Sequence, residues 1–178
     1  VPIFGSARTP ASDPMYRKAE EIAGALAEQG YTIVSGGGSG IMEAANRGAK
    51  DAGGHAIGFN IILPHEQKLN SYTTENLAFH YFFTRKVMMT FYAHGFIYFP
   101  GGFGTLDELF EVITLIQTKK MPPVPIILVG QTFWSKLDEF IKTQLRDNSL
   151  ITNGDEKLYT IVDDVHDICS IINKDFDS

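Results

Sequence analysis

Gly95-Phe96-Ile97-Tyr98-Phe99-Pro100-Gly101-Gly102-Phe103-Gly104-Thr105-Leu106-Asp107-Glu108 is the stretch that decides the fold. Its first five residues are a short apolar run bounded by turn residues, the pattern of a buried parallel strand. Past the glycines, Leu106, Leu109, Phe110, Ile113 and Ile116 recur at helical spacing, so the segment reads as strand, glycine loop, helix. In open α/β sheets such a junction borders the crevice where ligands bind. Exposed amides and the helix dipole favour an anion there, and glycines admit a phosphate close to the backbone. A second reading of the same residues is a T-x-x-E capping box, Thr105 with Glu108, in which glutamine would serve as well as glutamate. On this stretch alone, Glu108 is either a cap or a catalytic acid.

Working outward, strand-like and helix-like segments alternate along the chain. Strands are expected at Pro2 to Gly5, Thr32 to Ser35, Ala56 to Phe59, Phe96 to Phe99 and Pro125 to Val129, with a weaker one at Tyr159 to Val162. Helices are expected at Pro14 to Gln29, Ile41 to Asp51, Thr84 to Ala93, Thr105 to Thr118, Thr132 to Asp147 and Asp164 to Ile172. That alternation predicts a Rossmann-like, three-layer α/β/α domain with a mostly parallel central sheet. Gly30 and Gly53-Gly54 fit helix C-terminal caps. The polar segment from Asn60 to Asn76, with Pro64, reads as a long irregular loop of the kind that is often functional.

At 178 residues, one domain spanning residues 1–178 with a sizeable core is expected. The net charge of -6 and pI near 5.3 argue against a nucleic-acid polymer as partner, because backbone phosphates demand a basic surface. Cys169 is the sole cysteine, so no intrachain disulfide forms, and the thiol reads as a small buried hydrophobe. No signal-peptide pattern and no apolar stretch of about 20 residues is present. No membrane association and a cytoplasmic location are the expectations. The first residue is Val1 rather than methionine, which leaves the natural N-terminus open.

Two further turns follow strands. Gly36-Gly37-Gly38-Ser39-Gly40 opens a helix at Ile41 but does not complete the dinucleotide fingerprint, and no acidic residue closes the next strand at Gly58-Phe59-Asn60. Neither glycine loop carries G-K-[ST], which argues against a P-loop. Gly5-Ser6-Ala7-Arg8 follows the first strand and reads either as a plain turn or as a source of Ser6 and Arg8 for the same edge. Arg85 stands among apolar residues at a helix start, where a cation is disfavoured. That position suggests a carboxylate or phosphate partner for its bidentate fork, or else a snorkelling surface arginine; Lys86 reads as snorkelling. His55, His65, His80, His94 and His166 are scattered and no cysteine cluster exists, so no metal site is expected. The G-x-S-x-G nucleophile elbow is absent.

Gly36 through Asn46, then Arg85-Lys86, then Pro100-Gly-Gly-Phe-Gly-Thr105-Leu-Asp-Glu108 together resemble the LOG (LONELY GUY) family, cytokinin riboside 5′-monophosphate phosphoribohydrolases often labelled possible lysine decarboxylases. The likeness runs from Phe4-Gly5-Ser6 to about Phe140, with Ser39 where relatives commonly have proline. It implies hydrolysis of the N-glycosidic bond of a nucleoside 5′-monophosphate, AMP or a cytokinin nucleotide, to free base and ribose 5-phosphate. The family's catalytic arginine and glutamate fall on Arg85 and Glu108. Phosphate and ribose binding is expected from Gly37, Gly38, Ser39, Gly40, Glu43, Lys86, Gly101, Gly102, Gly104 and Thr105, without metal or cofactor. A homodimer or larger homo-oligomer with its active site near the interface is also implied, with Phe79, Tyr81, Phe82 and Phe83 candidates for that surface or for the core. Pyridoxal-phosphate decarboxylation needs a Schiff-base lysine in a suitable pocket, which no part of this pattern offers. The alternative is a non-catalytic nucleotide-binding sensor or carrier on the same fold, since fold does not dictate function.

Overall fold

The computed structural model describes residues 1–62 and 69–174. Seven short strands appear among them: β1 (Ile3–Phe4), β2 (Ile33–Ser35), β3 (Ala56–Ile61), β4 (Glu75–Phe79), β5 (Phe96–Tyr98), β6 (Ile126–Leu128) and β7 (Thr160–Ile161). The helices are α1 (Pro14–Glu28), α2 (Ile41–Asp51), α3 (Phe82–Phe91), α4 (Phe103–Gln117), α5 (Gln131–Phe140) and α6 (Val165–Lys174). Every ladder between these strands is parallel. One set runs β2-β3-β4 and the other β1-β5-β6-β7. A parallel bridge from Pro2 to Val34 joins them, giving the order β4-β3-β2-β1-β5-β6-β7. Strand order therefore reverses at β1, between β2 and β5.

Alternation along the strands divides the core into two layers. Ile3, Ile97, Ile127 and Val129 face α1, α2 and α6, with Cys169 buried among them. Phe4, Phe96, Tyr98, Ile126 and Leu128 face α4 and α5, including Leu109, Val112 and Trp134. The expected three-layer Rossmann-like arrangement is what the chain adopts.

Local signals explain most helix ends. Asp13 caps α1 by accepting a 2.7 Å bond from Met15 N, with Pro14 at the first helical position. Gly30 follows with φ +89°, the left-handed ending that glycine favours. The helix expected from Thr132 to Asp147 runs as α5 and continues as a π-helical segment over Ile141–Arg146.

Two expectations need correction. The region from Asn60 to Asn76 is not one long loop: β3 continues through Ile61, and β4 begins at Glu75 and runs to Phe79. Residues 63–68, with Pro64 and His65, lie outside the described residues. Strand β4 forms one edge of the sheet, and four of its five residues are exposed. Such a strand has no buried face to impose an apolar alternation, so Glu-Asn-Leu-Ala-Phe carries no strand pattern. Second, α4 starts at Phe103 with Gly102 as its N-cap, and no side chain caps it. Glu108 lies in the second turn, out of reach of the cap amide, so Thr105 and Glu108 do not form the capping box.

Helices α1 and α2 meet through small residues. A Cβ placed on Gly48 would lie 2.0 Å from the backbone oxygen of Glu20, so that helix contact requires glycine. An exposed helical Gly→Ala change would gain up to ~1 kcal/mol in propensity. Here Gly48→Ala is expected to destabilise the protein by about 1–3 kcal/mol through overpacking, measured by urea denaturation. A stabilised variant would contradict the close packing.

Candidate active site

Three strand-to-helix turns converge where strand order reverses. Ser6 laces them together: its amide donates to Pro100 O at 3.0 Å, and its carbonyl accepts from Ile41 N at 3.1 Å. The hydroxyl of Ser39 adds a 2.8 Å bond to Ala7 O. Beside this knot lies a cleft of about 820 Å³, bordered by residues 4–8, Gly36, Met42, Ile61, Phe82, Arg85 and residues 101–108. Its position outside the carboxyl ends of β1 and β5 is the binding crevice of doubly wound sheets.

One wall is the start of α4. Gly101 passes so close to Thr105 that an added Cβ would lie 2.1 Å from the threonine hydroxyl, whereas the corresponding positions on Gly102 and Gly104 open into empty space. Elsewhere in the fold a helix start is satisfied from within: at α5, Asp163 accepts from Gly130 N at 2.5 Å and Gln131 N at 3.2 Å. Helix α4 has no capping side chain and no acid in its first turn. Its amides and positive dipole end face the cleft, a setting suited to an anion. Arg8 borders the same space, and no described residue pairs with its guanidinium.

The other feature is a pair of charged groups, buried Glu108 and half-buried Arg85, each with one buried atom left unsatisfied. Glu108 is only 6% exposed, and neither its Oε2 nor Arg85 Nε has a hydrogen-bond partner. An orphaned polar atom in a folded interior costs free energy unless a ligand or water completes it. Arg85 comes from α3 and lays its guanidinium against Gly36, where an added Cβ would sit 2.7 Å from Nη2. Burial pulls the arginine's pKa down, and the charge of Glu108 opposes that. Burial pushes the Glu108 carboxyl up to about 7, against the pull of Lys86 and Arg85 and with a further push from Glu111 and Asp107. A carboxyl that titrates near neutrality, in a cleft beside an arginine, has the character of a proton-transfer group.

The remaining expected site residues stand apart from the cleft. Within the second turn only Gly36 borders it. Gly37 N donates to Ser35 Oγ, while Gly37 O and Gly38 O accept from Asn70. Gly40 O accepts from Ala44 N, and Glu43 accepts a 2.8 Å bond from Tyr16 OH. Lys86 binds Asp107 at 2.6 Å and Glu111 at 2.5 Å. Burial pulls its ammonium pKa down, but those bonds outweigh it and hold the group above its ordinary value. Asn70 is a residue that sequence reasoning missed. It anchors the second turn through its amide and side chain and reaches Asn46 Oδ1 at 3.0 Å; one asparagine in a polar stretch gives no periodic signal. Among the described residues no group of three or more His, Cys, Asp or Glu could hold a metal ion, and no helix is long and apolar enough to cross a membrane.

Comparison with known proteins adds three kinds of likeness. Residues 42–172 match the family model described as "Possible lysine decarboxylase". A probable cytokinin riboside 5′-monophosphate phosphoribohydrolase, LOGL5 of Oryza sativa subsp. japonica, is 40% identical over 97 residues, 53% of this chain and 39% of the relative. The corresponding LOG4 enzyme of Arabidopsis thaliana is 31% identical over 141 residues, 76% of this chain and 64% of the relative. The matched segment thus spans about two fifths of the rice protein's length. Among solved structures, the molybdenum cofactor carrier protein of Chlamydomonas reinhardtii superposes with a TM-score of 0.73 at 22% identity, covering 99% of this chain and 97% of that one. At that identity the likeness speaks for the fold.

The raised carboxyl has a measurable consequence for stability. Below its ordinary value of 4.5, Glu108 is protonated in both folded and unfolded chains. Between 4.5 and about 7 the folded chain keeps a proton that the unfolded chain releases, so stability falls as pH rises through that window. Glu108→Gln removes this slope. Its melting temperature is expected to gain on the wild type between pH 5 and about pH 7 and to level off above that; parallel profiles for the two proteins would contradict the buried carboxyl.

Proposed function

The chain belongs to the LOG family, and from that premise we propose that it hydrolyses the N-glycosidic bond of a nucleoside 5′-monophosphate, AMP or a cytokinin nucleotide. The products are the free base and ribose 5-phosphate. The observation that carries this reading is the buried, unpartnered Glu108 carboxyl facing the cleft with Arg85, beside a helix start suited to a phosphate.

Cleaving a ribosyl C–N bond builds positive charge on the sugar, so a fixed carboxylate stabilises the transition state more than the ground state. Glu108 in its ionised form fills that role and accepts a proton from the water that attacks C1′. The base leaves with the bonding electrons and takes up a proton, so the proton received by Glu108 is given up again and one water is consumed overall. Near neutral pH a carboxyl of this kind is divided between its two forms, which suits proton transfer. Arg85 orients Glu108 and the nucleotide. Gly101, Gly102, Gly104 and Thr105 hold the 5′-phosphate, with Arg8 as a further cation in the cleft. Gly37, Gly38, Ser39 and Gly40 act behind this surface by fixing Gly36 against the guanidinium, and Glu43 is a more distant candidate for ribose or base.

The decarboxylase description finds no support in these residues. A pyridoxal-phosphate enzyme needs a lysine to form the Schiff base, and among the described residues bordering the cleft none is a lysine.

An oligomer with the site near its interface belongs to the same reading. Tyr81, Phe82, Phe83, Val87, Phe91 and Tyr92 are all more than half exposed on and around α3, an apolar face too large for an isolated helix in water. Only Phe79 of the four aromatics considered for that surface turns inward, packing edge-on against Phe59 at 5.5 Å. A second copy covering α3 would exclude water from the side of the cleft that carries Arg85. The cytoplasm is the compartment proposed for this reaction.

Incubation with AMP and N6-isopentenyl-AMP, followed by chromatography, is expected to release the free bases, with adenosine a poor substrate because it lacks the phosphate. Glu108→Gln should lower turnover at least ~100-fold, the scale of a lost acid–base group. Nucleotide binding without base release in the wild type would instead identify a sensor or carrier.

A further inference from the structure

Helix α3 carries Arg85, yet little of it enters the core. Of its ten residues only Met89 and Thr90 are buried, and the Thr90 hydroxyl turns back to Lys86 O at 2.9 Å. Lys86 departs from this exposed pattern. Its side chain is 16% exposed, with Nζ 2.6 Å from Asp107 Oδ2 and 2.5 Å from Glu111 Oε2. Asp107 and Glu111 are four residues apart on α4, so they share one helix face and repel one another unless a cation sits between them. Lys86 directly follows Arg85, and Asp107 directly precedes Glu108. The ammonium therefore ties together the two short backbone segments that present the unsatisfied groups to the cleft.

We propose that Lys86 is a positioning residue rather than a substrate contact: by bridging Asp107 and Glu111 it holds α3 against α4 and so sets Arg85 with respect to Glu108. An exposed ion pair contributes little. Here the ammonium is covered and serves two carboxylates at once, Glu111 half-buried and Asp107 exposed, and misplacing a catalytic group by about 1 Å can cost ~100-fold in rate. The kinetic consequence rests on the hydrolase reading; the geometric one does not.

The charges around Glu108 make the idea measurable. From α3 it faces Lys86 and Arg85, from α4 Asp107 and Glu111, and from β5 Tyr98, whose hydroxyl donates to Glu108 O at 3.3 Å. Without the Lys86 charge, only Arg85 offsets the two neighbouring acids.

Lys86→Met keeps the apolar stem and removes the charge, while Lys86→Arg restores a cation. Glu108 is followed by carbon-13 NMR titration of the full chain, its signal assigned by its loss in Glu108→Gln, beside kcat and KM for AMP. Lys86→Met is expected to raise the Glu108 midpoint by about half a unit or more and to lower kcat at least ~10-fold with KM within about threefold. Lys86→Arg should recover both. An unchanged midpoint and kcat, with or without a raised KM, would overturn the positioning role; a raised KM alone would mark a substrate contact. If wild-type protein releases no base, the hydrolase reading fails, and an unchanged Glu108 midpoint in Lys86→Met would still overturn this one. If Lys86→Met does not fold, the Asp107→Asn, Glu111→Gln double variant loosens the same tie from α4: a fall in kcat supports the role, and an unchanged kcat opposes it.

Discussion

The parallel pairing of β1 with β5 is the constraint on which the rest of the structure depends. Ile3 lies beside Ile97 and Phe4 beside Tyr98, and the Phe4 and Tyr98 rings stack with centroids 5.0 Å apart. The pairing sets two strands that are far apart in sequence side by side, with β2 on the other flank of β1. Their following turns must leave the sheet at the same edge, in opposite directions along the strand order. A crevice is the geometric result. Ser6, bonded to Pro100 on one side and Ile41 on the other, converts that crevice into a fixed shape.

Into this crevice the fold places a carboxyl and a guanidinium without allowing either to be satisfied internally. The opposed effects on Glu108 are informative about which one wins. Lys86 and Arg85 pull its pKa down, but burial prevails and the carboxyl titrates near neutrality, at about 7. A structural ion pair would show the reverse, with the partner's charge lowering the carboxyl well below its ordinary range. An arrangement that costs stability and leaves Glu108 Oε2 and Arg85 Nε unpaired is what a site prepared for a ligand requires.

Much of this was legible in the residue order. The strand, glycine loop and helix around Gly101 announce themselves through apolar spacing, and α1 through Asp13, Pro14 and Gly30, because those signals are local. Strand β4 was not legible, since an exposed edge strand has no buried face to pattern. The Thr105–Glu108 spacing suggested a cap because the register of a helix start is a matter of two residues: beginning at Phe103 instead of after Thr105 turns Glu108 from a cap into an inward-facing second-turn residue. Lys86 looked like a surface lysine because its partners, Asp107 and Glu111, are more than twenty residues away, and nothing local announces that two helices will bring them together. The exposed face of α3 was ambiguous for a related reason, as aromatic residues at helical spacing read equally as core or as interface.

These threads meet in the claim that water, activated at Glu108, attacks C1′ of a bound nucleotide. Running the reaction on AMP in ¹⁸O-labelled water and weighing the products by mass spectrometry tests that claim most directly. The account predicts unlabelled adenine and ribose 5-phosphate carrying one heavy oxygen at C1 during early turnover, with both products formed at least ~100-fold more slowly by Glu108→Gln. Recovery of intact AMP from the wild-type protein, or of ribose 5-phosphate from Glu108→Gln at the wild-type rate, would contradict it.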